Sequence, residues 1–458
     1  MSAQSLISLS PQAPGEIVGE YPTTPASVIP AAFARARSAQ HEWWAAGAPA
    51  RAQALAGAAE RLLARSDQAT ALVVREVGKP LTEARGEVAR TISILSYYAQ
   101  SCFAAIGDQY PPSLTGLLYS ERRPHGVAGL ITPWNFPLAI PAWKAAPALA
   151  AGNAVILKPS PESPACAALL CEVLEAELPA GLFTVMHGHA ETAEALIAGA
   201  DVVSFTGSRA VGRSVAMRAA ERTIPAQCEM GGQNAAIVLP SADPESTARM
   251  IAGAAMGYAG QKCTATRRVV VVGDQVEFVD ALVTAIRNLP DAAPEDAASV
   301  VGPVITSSAR DSVMSAAADG VARGATVLAS GPAPEGEGWY APPALLTGLD
   351  PTDPLAREET FGPLALLLHA EDVEQALAIT RSVPYGLVTS IHGQDLHSIL
   401  YAVAGCDTGL VKVNSPSTGV DFYAPFGGEK DSSHGPREQG QAALDFYSTT
   451  RTVTITPG

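Results

Sequence analysis

Cys263 lies in the polar run Gly260-Gln261-Lys262-Cys263-Thr264, thirty-four residues after Glu229 of Glu229-Met230-Gly231-Gly232-Gln233-Asn234. Together they offer a nucleophile and a base. A thiolate attacks an electrophilic carbonyl carbon, and a carboxylate within reach activates the thiol or a later water. Asn135 stands between two prolines in Thr132-Pro133-Trp134-Asn135-Phe136-Pro137, where a rigidly held amide NH2 can face a developing oxyanion. The competing reading of Cys263 is an inert, buried apolar thiol. Its polar neighbours argue for function, and Lys262 would favour the thiolate if it points inward. The Gly231-Gly232 pair after Glu229 permits close backbone approach. Cys166, Cys171 and Cys228 fall in strand or helix patterns and read as core.

These residues sit in a chain of 458 residues, too long for one ordinary core, so two or three domains are expected. A net charge of −15 argues against nucleic-acid binding, which needs a basic face. Six cysteines without a CxxC pair, and no His-rich ligand spacing, disfavour a metal site and a disulfide framework. No Lys or Arg precedes Arg35, so neither a secretory nor an Arg-rich transit pattern opens the sequence, and the cytoplasm is the expected compartment. The stretch from Gly126 to Leu157 carries one ionisable residue, Lys144, and is long enough to cross a bilayer. Pro133, Pro137, Pro141 and Pro147 would leave backbone groups unpaired in lipid, so a buried strand, loop, helix and strand are expected instead, with no membrane partner.

The elements that must position the three groups follow from the periodicity. From Ser27 to about Ser101 the pattern is helical, with Ser66 as an expected N-cap. Short β-branched runs then alternate with helices: Val127 to Ile131, Ala154 to Leu157, Phe183 to Met186, Val202 to Phe205 and Ala235 to Leu239. That alternation predicts an α/β, Rossmann-like parallel sheet covered on both faces. A second alternation after Pro244 predicts a second α/β unit, with a helix from Ala248 to Tyr258 ending just before the nucleophile loop. Gly331 to Gly338 reads as a surface turn.

With Phe205-Thr206-Gly207-Ser208 and Glu359-Thr360-Phe361-Gly362-Pro363 added, the motifs resemble the aldehyde dehydrogenase superfamily in order and spacing. The resemblance implies a cofactor domain over 1–104 and 125–230, a catalytic domain over 231–440, and oligomerisation strands at 105–124 and 441–458. It implies a homodimer or homotetramer. Cys263 would form a thioester with the aldehyde carbon, Glu229 would activate the hydrolytic water, Asn135 and the Cys263 N–H would hold the oxyanion, and Lys144 matches a proton-relay lysine. NAD or NADP would lie against Ile131, Thr132, Pro133 and Trp134. Lys158 would hold the adenosine ribose, Ser208 would meet the pyrophosphate with backbone N–H groups, Glu359 would bond the nicotinamide ribose and Phe361 would pack by the nicotinamide, with Ser160, Pro161, Phe205, Thr206, Gly207, Gly212, Met230 and Gly231 completing the cofactor-binding set. No metal is implied.

One departure bears on the cofactor. Many NAD-preferring members carry a Glu three residues after that lysine, where this chain has Pro161, with Glu162 offset by one. A carboxylate there bonds the 2′-hydroxyl and repels a 2′-phosphate, so its loss makes dual NAD and NADP use an expectation. The small-molecule aldehyde is expected to meet Phe136, Trp143, Lys262, Thr264, Tyr423 and Phe426. The Cys263 run, the Pro425-Phe426-Gly427-Gly428 loop and the segment Ser432 to Gly440 most resemble the α-ketoglutarate semialdehyde (2,5-dioxovalerate) branch. Aliphatic or aromatic aldehydes are the alternative, and a coenzyme A-acylating or non-catalytic relative is disfavoured by the presence of Glu229, Cys263 and Asn135.

Overall fold

The computed structural model describes residues 5–457, so residues 1–4 and 458, at the two ends of the expected units, lie outside the described residues. Apolar runs form the first sheet. Val127–Ile131 and Ala154–Lys158 are buried at every position, as expected for parallel strands covered on both faces. Spatially the strands run Ser433–His434, Ala226–Glu229, Val202–Thr206, Val127–Ile131, Ala154–Lys158 and Phe183–Val185. All pair in parallel except Ser433–His434, which runs antiparallel to Ala226–Glu229 at the edge. The chain therefore returns to the first sheet late, from within the segment expected to be purely catalytic. Strand order reverses between Val127–Ile131 and Val202–Thr206, and a ligand crevice opens at the carboxyl ends of such strands.

A second, seven-stranded sheet has Thr266–Val272 and Asn234–Val238 near its centre, joined in parallel, and only the edge strand Thr326–Ser330 antiparallel. Glu229 is the last residue of a strand in the first sheet, and Asn234 is the first residue of a strand in the second. The carboxyl edge of one sheet thus meets the amino edge of the other across Met230 to Gln233. Cys263 lies on the same seam, just ahead of Thr266–Val272.

Between the nucleophile and its feeding helix the expectation needs correction. The helix Pro244–Met256, started by Asp243 accepting from the Ser246 N–H at 2.9 Å, stops two residues before Tyr258. Tyr258, Ala259 and Gly260 then take left-handed backbone conformations, with φ of 55°, 50° and 64°. For Tyr and Ala that is strained, and the surroundings must enforce it. They do so through Tyr258 N–H to Val300 O (2.8 Å), Tyr258 OH to Val77 O (3.1 Å), and the buried Arg267 guanidinium donating to Gly260 O and Gly362 O. A second correction is smaller. Arg65, not Ser66, is the N-cap residue of Ser66–Val77, because the preceding helix Gly47–Ala64 ends immediately before it.

The stretch weighed as a membrane span forms Val127–Ile131, the helix Ala139–Ala150 with all twelve residues buried, and Ala154–Lys158. Among the described residues no helix is long and apolar enough to cross a membrane. The tail Ser448–Ile455 pairs antiparallel with Leu117–Pro124 of its own chain, and Gln109–Tyr110 completes a three-stranded sheet.

Candidate active site

A cavity of about 230 Å³ opens on the seam and brings Cys263 together with Asn135. Its walls are Pro133 and Trp134, Thr206 to Ser208, Met230 and Gly231, and Glu359 and Phe361, with Ile140 as a member the sequence reading missed. A larger hollow of about 350 Å³ lies behind Glu359 to Phe361, but it contains neither Cys263 nor Asn135.

Cys263 faces the cavity and is partly buried. Burial pushes its thiol up to about 12, Glu359, Glu229 and Glu438 add to the rise, and only its own backbone N–H opposes. Lys262 does not supply the expected cation. Its Nζ binds Glu83 Oε1 at 2.6 Å, on the helix Leu81–Ser101, so it neither turns toward the sulfur nor lines the cavity. The nucleophile loop is instead held by Asn234, whose Nδ2 donates to Cys263 O (2.7 Å) and Ala265 O (2.8 Å). Thr264 is buried within that loop.

Asn135 is buried, its Nδ2 donating to Gln261 O at 2.9 Å and its Oδ1 without a partner. The amide is thereby fixed two residues from the sulfur along the nucleophile loop. Its own segment is fixed by a device the sequence did not reveal. Glu87 Oε1 accepts from the Leu138 and Ala139 N–H groups at 2.9 and 3.1 Å, and Glu87 forms a fully buried ion pair with Lys79. The Lys79 ammonium lies 3.7 Å from the Phe136 ring centroid and 4.7 Å from that of Tyr258. One cation thus ties the asparagine loop to the strained turn before Cys263.

Glu229 is buried at the strand end, with Oε2 accepting from Ser433 Oγ at 2.5 Å and Oε1 without a partner. Its carboxyl points toward Gly427, where an added Cβ would come within 2.8 Å of Oε1. Burial, then the Glu438 charge, holds it well above the usual carboxylate range, against Ser433, Lys144 and Arg437. Lys144 is no snorkelling surface lysine. It is buried, donates to Ser204 Oγ at 2.7 Å and is ion-paired with Glu438. Trp143 Nε1 also donates to Glu438, at 2.9 Å. Glu229, Lys144, Ser204 and Glu438 thus form one buried array, from which the Glu229 and Glu438 charges reach the Cys263 thiol, and Glu438 had no sequence signal for this place.

Trp143 packs on Phe426, ring centroids 6.0 Å apart, and both are buried. Tyr423 departs from expectation: it is 60% exposed and its ring contacts only Phe422 among the aromatic rings, because the loop after Asp421 turns it to the surface.

The nucleotide-side residues form a cradle that fits a dinucleotide. Ser208 is the N-cap residue of Arg209–Glu221 with no side-chain cap bond, leaving first-turn N–H groups for an anion. A Cβ on Gly207 would strike the Phe205 ring at 2.6 Å, one on Gly212 the Met230 sulfur at 2.6 Å, and one on Gly231 the Glu359 carboxylate, so a side chain at any of the three would force its neighbour to move. Glu359 Oε1 accepts from the Gly232 N–H at 3.1 Å. The Thr132 and Thr206 hydroxyls, at the carboxyl ends of the two switch-point strands, are buried without partners. Ile131 ends the first of those strands. At the far end Lys158 donates to Pro159 O at 2.8 Å, and burial lowers it to about 8 against the Glu162 charge. Ser160 binds the Glu162 carboxylate, so the acid offset from Pro161 is folded back beside the lysine. His187, unanticipated from sequence, is lowered to about 4 by burial and then by Lys158.

Comparison with known proteins agrees with this construction. The profile of the Aldehyde dehydrogenase family matches residues 1–453. An alpha-ketoglutaric semialdehyde dehydrogenase of Bacillus subtilis is 37% identical over 96% of this chain and 93% of its own length. A succinate-semialdehyde dehydrogenase [NADP(+)] of Deinococcus radiodurans is 34% identical over 94% and 91%. Among solved structures, a putative methylmalonate-semialdehyde dehydrogenase of Sinorhizobium meliloti 1021 complexed with NAD superposes with a TM-score of 0.95 at 30% identity, covering 100% of this chain and 96% of that one. The chain belongs to the aldehyde dehydrogenase family, oxidoreductases that act on aldehydes with NAD or NADP.

Proposed function

We propose that this enzyme oxidises an aldehyde bearing a distal carboxylate, with α-ketoglutarate semialdehyde as the leading substrate, through a thioester on Cys263. The observation that carries the chemistry is the single cavity shared by Cys263, Asn135 and the glycine-walled cradle. The substrate class rests on the semialdehyde-oxidising relatives, one of them similar over 96% of the chain.

Cys263 Sγ bonds to the aldehyde carbon, and Asn135 Nδ2 donates to the oxygen as it gains charge. Burial holds the Cys263 thiol protonated at rest, so its proton must leave as the bond forms, and Glu229, whose Oε1 has no partner, is the carboxylate that would receive it. Ser208, Lys158 and Glu359 would hold NAD or NADP, which would supply the acceptor for the hydride that leaves that carbon. Glu229 then takes a proton from the water that attacks the thioester carbonyl, releasing the acid and the thiol. Lys144 and Glu438 stand behind Glu229 as the route by which its proton leaves the closed interior.

Assembly as a homodimer or homotetramer is part of the same reading, through the three-stranded sheet, where Tyr110, Leu114, Leu117 and Ile455 are all more than 40% exposed. A cytoplasmic setting is consistent with six free cysteines. The test is a side-by-side kcat/KM for α-ketoglutarate semialdehyde, succinate semialdehyde, hexanal and benzaldehyde, followed by NADH absorbance. Leading values for the two semialdehydes are expected; a clear win for hexanal or benzaldehyde overturns the substrate class.

A further inference from the structure

The helix Leu81–Ser101 presents one face to the segments that carry Cys263 and Asn135. Residues 83, 87, 90 and 97 recur at helical spacing, and each touches a different wall. Glu83 holds Lys262, the neighbour of Cys263. Glu87 holds the N–H groups of Leu138 and Ala139, just after Asn135. Tyr97 meets the Phe422 ring at 5.7 Å. Between them Arg90 Nη1 donates to Val420 O. The loop carrying Val420 is tied to the nucleophile strand by Ser417 Oγ and Thr266 Oγ1, 2.9 Å apart, and ends at Phe426 against Trp143. Arg90 thus lies on the same helix beside Glu83 and Glu87, which hold the nucleophile and asparagine segments, and itself holds the 417–422 loop, on the side from which an aldehyde must approach if the dinucleotide occupies the cradle.

A second cation flanks the same loop. Lys412 Nζ donates to Thr418 O at 2.8 Å and to Gly419 O, so Arg90 and Lys412 grip consecutive carbonyls. Both are partly buried, and among the described residues neither forms an ion pair with a carboxylate. Burial lowers each below its ordinary value, and exposed Asp421 is the carboxylate each feels most. Two half-buried positive groups bonded only to neutral carbonyls are left with charge to satisfy, and a bound carboxylate accepts from guanidinium more strongly than a carbonyl does.

We propose that Arg90 is the specificity-determining residue that receives the distal carboxylate of the aldehyde, with Lys412 raising the local positive potential. This rests on the carboxylate-bearing substrate class proposed above. The readout is the ratio of kcat/KM for succinate semialdehyde to that for hexanal, measured in wild type, Arg90→Gln, Arg90→Lys and Lys412→Gln. Arg90→Gln should lower the ratio by roughly 10- to 100-fold, mostly through the KM for the semialdehyde. Arg90→Lys should recover part of it, and Lys412→Gln should lower it by only about 2- to 5-fold. A wild-type preference that survives intact in Arg90→Gln overturns this assignment alone. Equal losses on both aldehydes, unrescued by Arg90→Lys, overturn it too by marking a purely structural role. A wild type that does not favour the semialdehyde removes the substrate reading itself and this inference with it.

Discussion

On the cradle side of Cys263 three of the walls are glycines that neighbouring side chains approach closely: Gly207 lies against Phe205, Gly212 against Met230, and Gly231 against the Glu359 carboxylate. On the other side they are side chains from three distant segments, where Arg90 meets the Val420 loop and Trp143 meets Phe426. A glycine wall restricts residue type, because a Cβ there would force its neighbour to move, whereas a side-chain wall can be rebuilt for each substrate. On the function proposed above, the first half would serve the common chemistry and the second would set specificity.

Cys263 belongs to both halves, and its loss has the largest effect. Cys263→Ala should lower kcat/KM for every aldehyde by at least about 10⁴-fold while nucleotide binding, followed by fluorescence titration, persists. Turnover retained in that variant would make the cavity a binding site only.

Glu229→Gln should reduce steady turnover by about 10²- to 10⁴-fold. If Glu229 serves mainly hydrolysis, rapid mixing will show an NADH burst followed by slow release; equal loss of both phases assigns it to thiol activation as well. The pH profile carries a sign. A base works only when deprotonated, and burial holds Glu229 well above the usual carboxylate range, so wild-type kcat should fall on acidification well before ordinary carboxylates titrate. Glu229→Gln should remove that acidic limb, and an unchanged limb would move the responsible group elsewhere.

These two residues, proposed as nucleophile and base, could be singled out in the sequence because such roles need particular residue types, and both stand in named runs; the structure places Cys263 in the cavity and buries Glu229 at its strand end. The glycines were legible for the same kind of reason, and so was the alternation that builds the first sheet. Glu438 was not: it lies 209 residues beyond Glu229 and reaches it only because Ser433–His434 returns as an edge strand. The Lys79 and Glu87 pair was hidden too, since a Lys and a Glu eight residues apart look like a solvated face until Phe136 and Tyr258 close over them. Lys262 shows the opposite failure. Adjacency to Cys263 suggested a thiolate partner, but the loop's backbone direction sends it to Glu83. The left-handed turn at Tyr258 and Ala259 carries no local signal, because neither residue type favours it.

Gly231→Ala sharpens the contrast between the halves. Its Cβ would occupy the place of the Glu359 carboxylate, so Glu359 must move and the KM for NAD should rise by about 10- to 100-fold. Tyr423→Ala, at a surface position on the other side, should change kcat/KM by less than about twofold. Comparable losses in the two variants would erase the distinction between the glycine-walled half and the other.

The smallest effect concerns cofactor choice, where the cradle itself departs from its usual rigidity. Pro161 occupies the position of a ribose-reading carboxylate, and Glu162 is folded onto Ser160 beside Lys158. Its charge therefore lies near the ribose end while its oxygen is already engaged, which weakens both recognition of a 2′-hydroxyl and exclusion of a 2′-phosphate. Wild type should accept NADP with kcat/KM within about tenfold of NAD, and Pro161→Glu should raise the NAD to NADP ratio by about tenfold, worth about 1.4 kcal/mol. Glu162→Gln should move the ratio the other way by releasing negative charge from the 2′ position. If wild type instead rejects NADP by more than about a thousandfold, roughly 4 kcal/mol, Glu162 must swing off Ser160 when nucleotide binds. The Glu162→Gln variant would then gain NADP activity most, locating the exclusion one residue beyond its usual place.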